Sequence, residues 1–259
     1  MTSRLHSLAT LDNLRDYGDY ATAASGRVRS GHLFRSAHQA RMDDADLTYL
    51  GGLDIGTVVD LRRNIERTKQ PSRRPVGWNG AVIESDLDGR GEAPHVNFLK
   101  SADLTPDSGR RFMTALYADM PFSPAHIETF GGYFRALADS DRPVLIHCAA
   151  GKDRTGLLAA LTHHVLGVGH DDLMEDYLLT NIAVDLAGRG ASMAVQLEKT
   201  IGRAVSENAV VAFLGVEPAY MEAAFSAIDD RYGSVDAYLE QALGVDAALR
   251  DRIGERLAA

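Results

Sequence analysis

The stretch His147-Cys148-Ala149-Ala150-Gly151-Lys152-Asp153-Arg154-Thr155-Gly156 gathers the residues best suited to chemistry, among them the single cysteine of the 259-residue chain. It lies between an apolar run that predicts a buried strand, 143 to 148, and an apolar run that predicts a core helix, 154 to 166. A strand–loop–helix turn aims successive backbone N–H groups and a helix N-terminus at one point, which suits an anion. Residues Ala149, Ala150, Gly151, Lys152, Asp153, Arg154 and Thr155 are therefore candidate phosphate binders, with phosphate or vanadate as the expected occupant. Cys148 opens the loop, where the amides and the helix dipole favour its thiolate, the form that attacks a phosphoryl group. Arg154, six residues on, returns a planar fork to the same centre and matches two phosphate oxygens. The Cys-x5-Arg spacing alone is common by chance. The leading His147, Gly151, the trailing Thr155-Gly156 and the preceding strand make it specific.

The same reaction needs a proton for the leaving oxygen, a contribution of roughly 10²–10⁴-fold. Two carboxylates compete for that role. Asp153 sits in the loop directly before Arg154, with shaping of the loop as its alternative task. Asp86 follows a weak strand in Ser85-Asp86-Leu87, with a solvated turn as its alternative, and Asp88 is a near neighbour. Lys152 is expected at the loop rim, either tuning Cys148, holding a second phosphate or facing solvent. Thr155 can donate to the sulfur or cap its own backbone. His147 alternates away from Cys148 along the strand, so it is expected to fix the loop and not to react.

The elements that must position these groups can be read from hydrophobic period and punctuation. Short strands are predicted at 31 to 37, 56 to 61 and, more weakly, 81 to 83. Helices are predicted at 43 to 50, capped by Asp43 or Asp44, and after Leu61 as far as Pro71. Residues 86 to 106 read as a polar loop, followed by helices over 107 to 120 and 124 to 139. The core helix after Arg154 ends at Gly167 or Gly169, and the pattern from Asp171 onward is mostly helical. Alternating strands and helices followed by helices alone predict an α/β fold, with a small mostly parallel sheet flanked by helices and a helix-rich C-terminal part.

Composition narrows the function classes. The net charge of −9 disfavours nonspecific nucleic-acid binding. One cysteine allows no internal disulfide. Residues Met1 to Tyr20 lack a signal-like apolar region. The most apolar stretch, near Leu157 to Val168, is too short for a bilayer. The expectation is a soluble cytoplasmic protein, or one secreted without a recognisable signal, with no integral membrane segment. The nine histidines show no metal-ligand spacing, so neither metal nor cofactor is expected. Arg62, Arg63, Arg67, Lys69, Arg73 and Arg74 form a basic run with only Glu66 to oppose it. Such a run suits a phosphorylated ligand, a membrane surface or a solvated helix face.

The loop His-Cys-x-x-Gly-Lys-Asp-Arg-Thr resembles that of the bacterial atypical tyrosine/lipid phosphatases. The resemblance extends to Asn13-Leu14-Arg15-Asp16, Leu33-Phe34-Arg35-Ser36, Asp60-Leu61-Arg62, Asp176-Tyr177 with Asn181, and Tyr220 to Tyr238. It covers nearly the whole chain and is weakest over 90 to 140. It implies a single tyrosine-phosphatase-like domain over 1–259, a phosphocysteine intermediate and no metal. The implied substrates are phosphotyrosine, with phosphoserine or phosphothreonine, and phosphoinositides. A mycobacterial member carries a helical lid, and residues 90 to 125 are expected to supply one here. Asp153 matches a myotubularin-like pattern, whereas Asp86 resembles the mobile-loop acid of ordinary tyrosine phosphatases. Both stay candidates. A rhodanese-like sulfurtransferase fits the long loop poorly. A phosphate-binding module without catalysis leaves the thiol, the arginine and the acids without a task.

Overall fold

The structure, a computed structural model, describes residues 4–87, 94–101, 103–202 and 206–258. The first half alternates strands with helices: β1 Arg15–Asp16, β2 Leu33–Ser36, α1 Asp44–Gly52, β3 Thr57–Asp60, α2 Asn64–Lys69 and β4 Ala81–Ile83. Then come α3 Pro94–Ser101, α4 Pro106–Asp119, α5 Pro124–Asp139, β5 Val144–His147 and α6 Asp153–Val165. Helices complete the chain: α7 His170–Ala183, α8 Leu186–Ile201, α9 Glu207–Leu214, α10 Pro218–Tyr232, α11 Val235–Gln241 and α12 Ala247–Leu257.

The sheet runs β1-β2-β5-β3-β4, with β1 antiparallel and the other neighbours parallel. Central β5 is the apolar Val144-Leu145-Ile146, and β3 is β-branched, as strands covered on both faces require. In register, His147 faces Ser36 on one side and Asp60 on the other. The three strands therefore end level, and the segments after Ser36, Asp60 and His147 meet at one edge. Ligand sites of open α/β sheets form at such carboxyl ends.

The helix α6 has no polar face because both sides are covered. Leu157, Leu158 and Leu161 are fully buried, and truncating one to alanine should cost about 2–5 kcal/mol. They pack with Tyr133, Phe134, Tyr220, Ile228 and Ile253 in the main core. A smaller core of Leu14, Phe34, Leu47, Leu50, Val58 and Leu145 seals the opposite face of the sheet under α1.

The architecture agrees with the sequence reading, with two differences. The two-residue β1 was not expected. The predicted loop over 86 to 106 contains α3, whose Phe98 stacks on Phe112 of α4 and Phe213 of α9. That helix depends on partners distant in sequence, which its own polar flanks do not reveal. Asp88 and residues 90–93 and 102 of the expected lid lie outside the described residues. The stretch Asn208–Tyr232 is long and apolar enough to cross a bilayer. Here it forms α9 and α10, interrupted between Leu214 and Pro218, and buries Val210, Tyr220, Met221, Ala224 and Ile228.

Candidate active site

Cys148 follows β5 and is buried, with 2% of its surface exposed. The loop after it is fixed through its carbonyl groups. The Cys148 carbonyl accepts from His147 Nδ1 at 3.3 Å, and the Ala149 carbonyl accepts from the His38 N–H at 3.2 Å. Asn13 Nδ2 donates to Ala150 O at 3.2 Å and to Gly151 O at 2.8 Å. Arg35 adds a donor to Gly151 O at 3.0 Å. All four carbonyls are thus held by the protein. In a trans peptide the following N–H points the opposite way, so the amides of Ala149, Ala150, Gly151 and Lys152 are turned away from those donors. Gly151 permits the turn: its φ is +64°, and a Cβ there would lie 2.3 Å from the Ser36 carbonyl.

The donors behind the loop are themselves pinned. Arg15 and Arg35, both fully buried, share Asp176, with Nε to Oδ1 at 2.9 Å and Nη1 to Oδ2 at 2.6 Å. Arg15 also donates to Asn13 Oδ1, to the Asp176 carbonyl and to Thr180. Burial works to raise the Asp176 carboxyl, but the two guanidiniums hold it well below the usual carboxylate range. Arg15 is lowered to about 10, first by burial and then by its neighbour Arg35. On the other side, Asp60 binds Arg62 through Nε at 2.9 Å and Nη2 at 2.6 Å. His147 Nε2 lies 3.5 Å from Asp60, yet burial lowers His147 to about 4. It is therefore neutral at working pH and donates from Nδ1.

Arg154, on the first turn of α6, is aimed by Glu66 of α2. Nη1 meets Glu66 Oε2 at 2.6 Å and Leu61 O at 3.0 Å, while Nη2 meets Oε1 at 3.0 Å. Glu66 occupies the terminal edge of the guanidinium. The lateral fork of Nε–H and the second Nη2–H is taken by nothing among the described residues. Burial acts against this charge, but Cys148 and Glu66 hold the Arg154 pKa above the ordinary arginine value. Burial likewise works to raise Glu66, and Arg154 overrides it, bringing Glu66 to about 2.

Asp153 and Asp86 stand in different surroundings. Asp153 Oδ1 accepts from the Tyr117 hydroxyl at 2.9 Å and lies 3.3 Å from Lys152 Nζ. Asp86 is held on α2 by Asn64 at 2.8 Å and by Arg67, with 74% of its side chain exposed. Thr155 Oγ1 is buried without a hydrogen-bond partner among the described residues, so it does not cap its own helix.

The sequence profile of the Tyrosine phosphatase family matches residues 6–259. The chain belongs to that family. A Cupriavidus necator protein classed as a tyrosine-protein phosphatase is 37% identical over 94% of this chain and 86% of its own length. The triple specificity protein phosphatase PtpB of Mycobacterium tuberculosis is 33% identical, over 93% of this chain and 94% of that one. The solved P. aeruginosa TpbA overlaps 71% of this chain and 98% of its own at 19% identity and a TM-score of 0.31, too distant to inform the fold.

Two expectations about this tyrosine phosphatase need correction. Lys152 does not stand at a solvent-facing rim. It is 6% exposed, and its ammonium donates to the carbonyls of Phe213 at 3.0 Å and Gly215 at 3.1 Å, at the C-terminal end of α9. Its side chain is thus drawn toward the end of α9 and beside Asp153. The basic run does not form a free patch either. Arg62 pairs with Asp60, Arg67 with Glu84 and Asp86, and Arg73 with Asp44, while Arg74 donates to Gln39. Glu66 is the residue that sequence reasoning missed. It counted only as the one acid in a basic stretch. Asn13, Arg15, Arg35 and Asp176 carried the family resemblance, and the structure gives their physical task.

Proposed function

We propose that this tyrosine phosphatase hydrolyses phosphotyrosine through a phosphocysteine formed on Cys148, with the amides from Ala149 onward and Arg154 binding the transferring group. The observation that carries this reading is the loop whose four carbonyls are all held from behind, beside a guanidinium whose lateral fork is open. Preorganised donors of this kind stabilise charge that develops in the transition state. Thr155, whose hydroxyl has no partner among the described residues, supports the sulfur as leaving group in the second step. Cys148→Ser should abolish turnover of para-nitrophenyl phosphate and still bind vanadate, since the cradle remains. Substantial residual turnover overturns the reading.

The name of the Mycobacterium tuberculosis relative supports a range beyond phosphotyrosine, and phosphoserine, phosphothreonine and phosphoinositides are proposed here as well. Phosphoinositide turnover requires Lys152 to leave the α9 carbonyls and offer its charge to a second phosphate. Lys152→Ala should then lower phosphoinositide hydrolysis more than phosphotyrosine hydrolysis. An equal loss on both assigns Lys152 to the loop alone.

A further inference from the structure

We propose that Tyr117 is the positioning residue for Asp153, and that the hydroxyl chain Tyr177–Tyr117 holds Oδ1 so that Oδ2 carries the transferable proton. The inference rests on the phosphatase reading above and deepens it. The Tyr177 hydroxyl donates to the Tyr117 hydroxyl at 2.9 Å, and Tyr117 donates in turn to Asp153 Oδ1 at 2.9 Å. A phenol has one proton to give, so the first bond fixes the direction of the second. Both rings are buried, in α4 and α7, and stand edge to face. Burial first, and then the charge of Asp153, raises Tyr117 well above the usual tyrosine value. The hydroxyl therefore stays a donor throughout the working range.

A positive charge stands at the same oxygen as an ion-pair partner. Lys152 Nζ lies 3.3 Å from Oδ1 and is itself anchored by the Phe213 and Gly215 carbonyls. A proton on Oδ1 would oppose the Tyr117 donor and face the Lys152 ammonium. Oδ2 accepts no hydrogen bond from the described residues, on a side chain that is 24% exposed. A neutral Asp153 thus carries its proton on Oδ2. In the first step the Cys148 Sγ–P bond forms, the P–O bond to the leaving group breaks, and the Oδ2 proton moves to the departing oxygen. In the second, water attacks phosphorus, the Sγ–P bond breaks, and Oδ2 takes a proton from the water. The acid and base forms are the two states of one oxygen, and the tyrosine chain keeps that oxygen in place through both.

The test is kcat/KM for a series of aryl phosphates of decreasing leaving-group acidity, measured on the full chain. Tyr117→Phe should lose about tenfold on phenyl phosphate and less than about twofold on para-nitrophenyl phosphate, with Asp153→Asn steeper in the same sense. In the double variant, Tyr117→Phe should cost less than about twofold beyond Asp153→Asn, since two residues acting through one proton do not add. A partly unfolded variant loses all substrates equally, so the slope against leaving group separates positioning from folding. Tyr177→Phe, which keeps the Tyr117 bond, should give a shallower slope. A uniform loss in Tyr117→Phe overturns the inference. So does a full multiplicative effect in the double variant. An Asp153→Asn variant with no leaving-group dependence also overturns it while leaving the phosphatase reading intact. That reading fails separately, through an active Cys148→Ser.

Discussion

Glu66 decides where Arg154 points. It binds the terminal edge of the guanidinium and leaves the lateral fork without a partner among the described residues. Glu66→Gln keeps the shape but removes the charge that holds the bidentate pair. We expect a loss of about a hundredfold in kcat/KM, with weaker vanadate binding measured by competitive inhibition. The pair also has a pH signature. Glu66 is ordinarily near 4.5 and is held at about 2 in the fold. Its stabilisation is complete above 4.5 and is lost as pH falls through about 2. Acid unfolding of Glu66→Gln should lack that part of the transition. That Cys148 and Arg154 lie on one strand–loop–helix turn was legible in the sequence, because six residues span both. Glu66 was not, because its partner lies 88 residues further along the chain. Locally it resembles any acid in a first helical turn, and its carboxylate also accepts from the Arg63 N–H at 2.8 Å. The direction of Lys152 was hidden for the same reason, since the carbonyls that draw it belong to α9.

At the scale of elements, the site is the join of β5 to α6, supported from β1, β2 and α7. Gly151 is the point at which that join can fail. Gly151→Ala adds a Cβ 2.3 Å from the Ser36 carbonyl, on a backbone with φ of +64°. We expect it to lose vanadate binding and turnover together and to destabilise the fold by about 1–3 kcal/mol. Gly244→Ala serves as the comparison, because Gly244 has φ of +71° but open space around it. It should show backbone strain of about 1 kcal/mol and retain activity. Urea midpoints and para-nitrophenyl phosphate turnover measure both. The strands β2 to β5 and helices α1, α4, α5 and α6 were legible because each carries its own period or punctuation. Asp43 caps α1 by accepting from the Asp46 N–H at 2.8 Å. Gly167, with φ of +71°, follows the end of α6. The helix α3 carries no comparable local signal, since its stacked Phe98 acquires meaning only beside Phe112 and Phe213.

Across the whole molecule, stability should fall toward acid well before the carboxylates protonate. His147, buried and neutral, is lowered from 6.5 to about 4, and burial shifts His163 in the same direction. Below 6.5 the unfolded chain takes up protons that the folded chain refuses. Each such histidine therefore removes about 1.4 kcal/mol per pH unit until the folded value is reached. His147→Asn, which keeps a donor for the Cys148 carbonyl, should flatten the fall of urea midpoint between pH 6.5 and 4 by about one proton. The net charge of −9 was legible at once, but the pairing of Arg67 and Arg73 was not, since the acids that engage them come from α1 and from the segment after β4. The interior behind the loop holds the opposite balance, two guanidiniums on one carboxylate. That arrangement restricts how the sequence can drift. Loss of Asp176 alone would set two buried cations against each other. Loss of Arg35 alone would release the Gly151 carbonyl, and loss of Arg15 alone would free Asn13. Every single step away from the trio passes through a weakened protein, so the three positions should change together or not at all.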